Sequence, residues 1–194
     1  MAPLIMMIYV SFWTQTTFSI KPDMTVVSWV NFFSSDTYFG ALLRTIRIWF
    51  TVLMVTILVG FPVALYIGQF IKNKTLQTAL LVTCVIPFWT SFLIRVLAWR
   101  PMLGKEGAIN ILLQKMGIIN APIEVLLYTE LSVIIGMVQI YVVFMVGPIA
   151  FMIGRIDGSL IEGARDLGAS TWTIFRRIIL PLSMPGVIVG AIFV

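Results

Sequence analysis

The chain has 194 residues, 60% of them hydrophobic and only 11% charged, with a formal net charge of +5 and a mean hydropathy of +1.04. Soluble domains carry about 25% charged residues, so a water-soluble fold of this size has no way to hide so much apolar surface. A bilayer must receive it, and there only helices or closed barrels keep every backbone polar group paired. The basic residues are scattered singly or in pairs and form no stripe, which argues against nucleic acid as a partner. There is no histidine, and Cys84 is the single cysteine. Ser-His-Asp relays, disulfide frameworks and cysteine-based metal sites are thereby removed, and no cofactor is implied.

In chain order, the apolar stretch from Ala2 to Trp13 is too short to span a bilayer, which takes about 20 residues in a helix. It lacks the basic start and small-residue cleavage site of a signal peptide and reads as the tail of a membrane helix. After a mixed segment from Gln15 to Tyr38, the residues from Ile46 to Ile71 are nearly continuously apolar, where a barrel strand would alternate. This predicts a first full span. A second is expected over Ala79 to Ala98 and a third over Leu131 to Ile153, separated by Lys72 to Gln77 and by Pro101 to Glu130. The final stretch, Ile178 to Val194, is still apolar where the sequence stops, about three residues short of a span. The chain is therefore expected to be cut at its C-terminus at least. Gly60 with Pro62, Pro87, Gly136, Gly147 with Pro148, and Pro181 with Pro185 and Gly186 punctuate these stretches. Kinks at such places survive in lipid only where neighbouring helices or a water-filled cavity satisfy the freed carbonyls, although glycine and proline are common in membrane helices generally. The short loop with Lys72 and Lys74 and no acid favours the cytoplasmic side, but the basic residues divide almost evenly between the two sides, and charge alone leaves orientation open.

The stretch Ser159 to Leu182, SLIEGARDLGASTWTIFRRIILPL, is polar enough to leave the membrane and patterned enough to fold. Leu160, Ile161, Ala164, Leu167 and Gly168 have the spacing of one helical face, with Glu162, Arg165 and Asp166 elsewhere. Ser159 with Glu162 fits a capping box that starts the helix at Ser159. Gly168 then serves either a close backbone approach or a C-terminal cap, and Ser170 or Thr171 starts the next helix.

The order Glu162, Ala164, Gly168, then Ile178, Leu180 and Pro181 resembles the EAA loop of binding-protein-dependent ABC importer permeases, E-A-A-x-x-x-G-x(9)-I-x-L-P. Gly163 departs from that pattern, replacing the first alanine, a small-for-small change that lowers helix propensity. PFWTSFLIRVLAW at Pro87 to Trp99, NAPIEVLLYTELSVIIG from Asn120, and GARDLGAS are similar to the spermidine/putrescine branch of this family. The resemblance implies an all-α integral membrane protein, a polytopic bundle of the type I importer kind with about five of its six helices present. It implies one permease domain over residues 1–194 with a cytoplasmic coupling segment at about 155–177. It further implies ABC ATPase subunits, a second permease subunit and a periplasmic substrate-binding protein as partners, all in a bacterial inner membrane. Glu162, Gly163, Ala164, Asp166, Leu167, Gly168 and Ala169 would then dock on the ATPase, with Pro181 and Pro185 as the hinge to the following span. Glu162 would pair with an ATPase arginine, where the capping box gives it a role without any partner.

Other residues point to less. Arg95 and Arg100 could line an entry for substrate, but basic side chains at a helix end usually snorkel to the interface, and Trp89, Trp99 and Tyr141 read as interface anchors or packing more than as stacking sites for a ligand. No carboxylate falls within a predicted span, so a cationic substrate finds no buried counter-charge there, and selectivity is expected to reside largely outside these helices. A proton- or sodium-coupled transporter would show ionisable residues at the midplane. No P-loop, H-E-x-x-H pair or G-x-S-x-G elbow is present, so the chain is expected to be non-catalytic, with ATP hydrolysed by a partner.

Overall fold

The computed structural model describes residues 2–16, 19–71, 73–123, 126 and 129–194. Lys72, expected to mark the cytoplasmic loop, and residues 124, 125, 127 and 128 of the stretch beginning at Asn120 lie outside the described residues. The chain forms two compact units, Met1–Ile48 and Trp49–Val194.

In the first unit α1 (Ala2–Ser11) leads into an antiparallel hairpin of β1 (Thr14–Thr16) and β2 (Ser19–Lys21), with Thr14 opposite Lys21. This hairpin is the departure from an otherwise helical chain among the described residues. A short helix free of charge follows, α2 (Val27–Ser34), and after one extended residue, Ser35, α3 (Asp36–Leu65) begins. Aromatic rings hold the unit together. Tyr9 meets Trp13 edge-on at 5.6 Å, and Phe32 stacks on Tyr38 at 6.2 Å. The Ser28 hydroxyl donates to the Trp13 carbonyl at 3.2 Å and the Thr25 N–H to the Phe12 carbonyl at 2.8 Å, closing the turn between α1 and α2.

In the second unit α3 ends in a π-helical turn, Tyr66–Phe70. Then come α4 (Lys74–Val85), a 3-10 turn at Ile86–Trp89, α5 (Phe92–Leu103), α6 (Ala108–Lys115) and α7 (Glu130–Ile153). The unit closes with α8 (Gly158–Asp166), α9 (Thr171–Ile174), a second π-helical turn at Phe175–Ile179 and α10 (Leu180–Phe193). Asn73 caps α4 by accepting from the N–H groups of Thr75 and Leu76 at 3.0 and 3.4 Å, which is the ordinary work of an Asn at this position.

Among the described residues three helices have the length and apolar character to cross a membrane, Asp36–Phe70, Glu130–Ile153 and Thr171–Phe193. The expected span over Leu131 to Ile153 is met almost residue for residue. The expected span over Ala79 to Ala98 is not one helix, because the chain breaks at Ile86–Trp89 between α4 and α5. A proline has no N–H to continue a helical ladder, and Pro87 falls within this turn. The stretch from Ile178, expected to fall short of a span, is instead the end of a continuous 23-residue helix that starts at Thr171. Its first turns are polar, and the apolar run alone concealed them. Residues 101–130, expected as a loop, contain α6 and a buried staple. Asn110 is 1% exposed, donates to the carbonyls of Gly104 at 2.9 Å and Ile123 at 3.2 Å, and accepts from the Ile123 N–H at 2.9 Å. Its amide thus satisfies backbone groups that no helix pairs.

The core of the unit is built on α7, whose Met145, Ile149 and Ile153 are essentially inaccessible, with Ala64, Ile67 and Ile179 packed around them. The tightest contact is between α7 and α10. A Cβ added at Gly186 would stand 2.7 Å from the Pro148 carbonyl oxygen and 2.9 Å from the Ile149 Cα, and one at Gly190 would meet the Met145 Sδ at 2.7 Å. Ser183, fully buried, continues the same stripe at i, i+3 and i+7, so two backbones meet along a row of small residues. Dispersion can therefore hold helices together in a medium that supplies no hydrophobic drive.

Candidate coupling segment

The polar segment between α7 and α10 is ordered turn by turn. α7 ends at Gly154, and the N–H groups of Arg155 and Ile156 bond back to Met152 and Ile153 at 3.2 and 3.0 Å. Arg155 lies over the Phe151 ring at 4.7 Å. Asp157 then caps α8, its carboxylate accepting the Ser159 N–H at 3.0 Å. The expected capping box of Ser159 and Glu162 is therefore not formed: the helix begins at Gly158, so Ser159 already lies inside the first turn and Asp157 supplies the oxygen. That backbone N–H first, and the Ser159 hydroxyl second, hold the Asp157 carboxyl below the usual carboxylate range, so the cap is ionised at neutral pH.

At the other end Gly168 has φ +80°. Its N–H bonds to the Arg165 carbonyl at 2.8 Å, and the Ala169 N–H reaches the Ala164 carbonyl at 2.9 Å. These two bonds and the left-handed residue make a Schellman motif. Of the two roles open to Gly168, the conformation carries the cap, and no atom lies within 4 Å of a Cβ built there. Ser170 starts α9, accepting from the Thr173 N–H at 3.3 Å. The helix then widens into the π turn, where the Leu180 N–H reaches back to the Phe175 carbonyl. Pro181 follows at the start of α10, and Pro185 lies inside it. The irregularity within this span is thus a π turn leading into Pro181, a device common at functional sites.

The apolar face of α8 differs from the one its spacing suggested. Ile161 is 4% exposed and Ala164 and Ala169 pack against the core, whereas Leu160 is 52% and Leu167 90% exposed. Leu160, Gly163 and Leu167 are spaced i, i+3 and i+7, an exposed ridge on a helix whose other side is anchored. The physical reason is geometric: Leu167 is the C-cap residue, already turning away as the Schellman motif forms. Glu162, Gly163, Asp166 and Gly168 are exposed beside the ridge. Glu162 and Arg165, with Lys74, border a cleft of about 510 Å³ floored by Ile161 and Phe175. Trp172 stacks on Phe175 at 5.4 Å, and Phe175 meets Phe61 of α3 edge-on at 5.8 Å, which fastens α9 to the bundle. The structure therefore brings together Glu162, Gly163, Asp166, Leu167 and Gly168 as one exposed surface, turns Ala164 and Ala169 inward, and keeps Pro181 and Pro185 one helix further on.

A second cleft, of about 720 Å³, lies between α5 and α7 with Trp99, Arg100, Gly136 and Tyr141 on its walls. Trp99 donates its indole N–H to Gln139 at 2.7 Å, a pairing of residues 40 positions apart that local sequence does not reveal. Arg95 donates to the Thr90 carbonyl at 2.9 Å, reaching back over the start of its own helix. Among the described residues no cluster of His, Cys, Asp or Glu is placed to hold a metal ion.

The family model for the binding-protein-dependent transport system inner membrane component matches residues 2–194. The spermidine/putrescine transport system permease protein PotB of Haemophilus influenzae is 42% identical over 141 residues, covering 73% of this chain and 48% of that protein. PotB of Escherichia coli is 35% identical over 185 residues, covering 92% of this chain and 66% of that protein. The inner membrane ABC transporter permease protein YdcU of Escherichia coli is 27% identical over 187 residues, or 91% and 59%. The chain spans about half to two thirds of the length of these curated relatives. With helices of membrane-crossing length and an EAA-like loop between the last two of them, the chain is a multi-pass inner-membrane protein and belongs to the family of binding-protein-dependent transport system inner membrane components.

Proposed function

We propose that this protein is a permease subunit of an ATP-driven importer, contributing to the pathway by which a polyamine such as spermidine or putrescine crosses the inner membrane. The substrate reading rests on the relatives named spermidine/putrescine permeases at 42% and 35% identity. The observation that carries the mechanism is α8, a helix capped at both ends, seated on the core by Ile161 and presenting Leu160, Gly163 and Leu167 outward. In this reading the segment 155–177 is cytoplasmic and residues 1–194 are a permease domain. The ridge docks on an ABC ATPase, with Asp166 and Ala169 completing the contact surface and Glu162 facing an ATPase arginine. Removing one partner of such a pair, once desolvated, costs about 2–5 kcal/mol. The chain has no P-loop of its own, so ATP hydrolysis falls to that partner, and the permease itself is non-catalytic. A second permease subunit and a periplasmic binding protein complete the assembly. The π turn with Pro181 and Pro185 is where α10 bends as α8 is pushed.

The test is uptake of radiolabelled spermidine into proteoliposomes that hold the natural full-length protein with its co-purified subunits and binding protein. Uptake that requires internal ATP and the binding protein is expected. Uptake driven by a proton or sodium gradient without ATP would make the protein a secondary transporter instead.

A further inference from the structure

The second unit contains a buried amide that is hydrogen-bonded to the end of α3 and has the end of α7 packed beside it. α3 does not end as an α-helix but widens into the π turn Tyr66–Phe70. The Ile67 carbonyl in that turn accepts a buried hydrogen bond from the Gln77 Nε2 at 3.0 Å. Gln77 belongs to the first turn of α4, where solvent exposure is ordinary for a glutamine, yet it is only 9% exposed. Its other end accepts from the Lys74 Nζ at 3.4 Å. On the third side lies Gly154, the C-cap of α7. A Cβ there would be 3.2 Å from the Gln77 Nε2, and one at Gly68 of the π turn would be 2.9 Å from the Ala150 carbonyl oxygen. The ends of α3, α4 and α7 thus close around one satisfied amide, at the residue from which the polar segment departs.

α8 is joined through the chain to α7 and α10, whereas the ends of α3 and α4 only border the same cleft. The apolar contacts between these elements permit helices to slide past one another. A buried hydrogen bond fixes register, because sliding would strand the Ile67 carbonyl without its donor. We propose that Gln77 is a positioning residue that fixes the register of α4 on the end of α3 beside the C-cap of α7, so that displacement of α8 is transmitted to these helices together. The inference rests on the reading of α8 as the ATPase-docking helix.

The experiment is the ratio of spermidine taken up to ATP hydrolysed, in proteoliposomes holding the complete complex, for the unsubstituted protein, Gln77→Leu and Gln77→Asn. Gln77→Leu puts an apolar side chain of similar bulk in place of the amide and removes the donor. The complex should stay assembled and hydrolyse ATP at near its normal rate, while uptake per ATP falls about tenfold, within the usual range of coupling between sites. Gln77→Asn keeps an amide on a shorter arm and should lose less. An unchanged ratio for Gln77→Leu overturns the inference. So does an equal loss of assembly for both variants, since that would make the amide a matter of folding and not of register. If the unsubstituted protein retains no ATPase, it is the docking reading of α8 that fails, and this is visible before any variant is made.

Discussion

At Gly168 the backbone carries the left-handed conformation, φ +80°, that closes α8 onto Arg165 and Ala164. A side chain with a Cβ costs about 1–2 kcal/mol in that conformation, and Asn tolerates it better than most. Gly168→Ala should therefore lower the thermal stability of the purified protein and weaken ATPase retention, and Gly168→Asn should restore most of both. If the glycine served instead to let a partner's backbone approach, Asn, being larger, would be worse than Ala, and co-purification of the two variants separates these cases. The residue scale also shows how far local pattern reaches. The glycine of the EAA-like loop and the Ser170 cap were legible because turn chemistry is local. The cap of α8 lies two positions before the expected Ser159, since S-x-x-E and an aspartate just before it are both acceptable caps, and only the Ser159 N–H pointing at Asp157 decides between them.

Among elements, the pairing of α7 and α10 depends on backbone approach more than on side-chain bulk. At Gly186 an added Cβ meets the Pro148 carbonyl oxygen and the Ile149 Cα, atoms that cannot rotate away. Gly186→Ala should destabilise the protein by about 1–3 kcal/mol, the usual cost of overpacking, whereas Gly136→Ala on α7, where nothing lies within 4 Å, should be close to neutral. Unfolding of the two variants in the same detergent checks this, and equal stability would mean that the two helices do not pack as described. The Gly186-x-x-x-Gly190 spacing was present in the sequence and would have announced a close helix pair. The interruption of the expected Ala79 to Ala98 span was signalled as well, by Pro87, but length and hydropathy alone joined its two halves.

For the molecule as a whole, long apolar runs located two of the helices of membrane-crossing length, Asp36–Phe70 and Glu130–Ile153, because hydrophobic content is summed over many residues, but they joined α4 to α5 and cut the last helix short. What stayed hidden were contacts between distant positions. Gln77 with Ile67 and Gly154, Asn110 with Gly104 and Ile123, and Trp99 with Gln139 each depend on how helices are arranged, and nothing in the neighbouring sequence marks them. The exposed ridge of α8 was half legible: the spacing gave an amphipathic helix, but which apolar residues face outward follows only from where Ile161 and Ala164 are seated.

The docking of that ridge on an ATPase is the claim on which the functional account depends. Its most direct test is a cysteine at Leu167, the most exposed residue of the ridge at 90%, introduced as Leu167→Cys in the natural full-length protein. A short thiol-to-amine cross-linker is then applied to inside-out membrane vesicles containing the assembled complex, with the unsubstituted protein as the control for Cys84. The account predicts an adduct with a P-loop ATPase subunit that is absent from the control. Adducts only with lipid or with periplasmic proteins, or labelling of that cysteine by an impermeant reagent in intact cells, would contradict it.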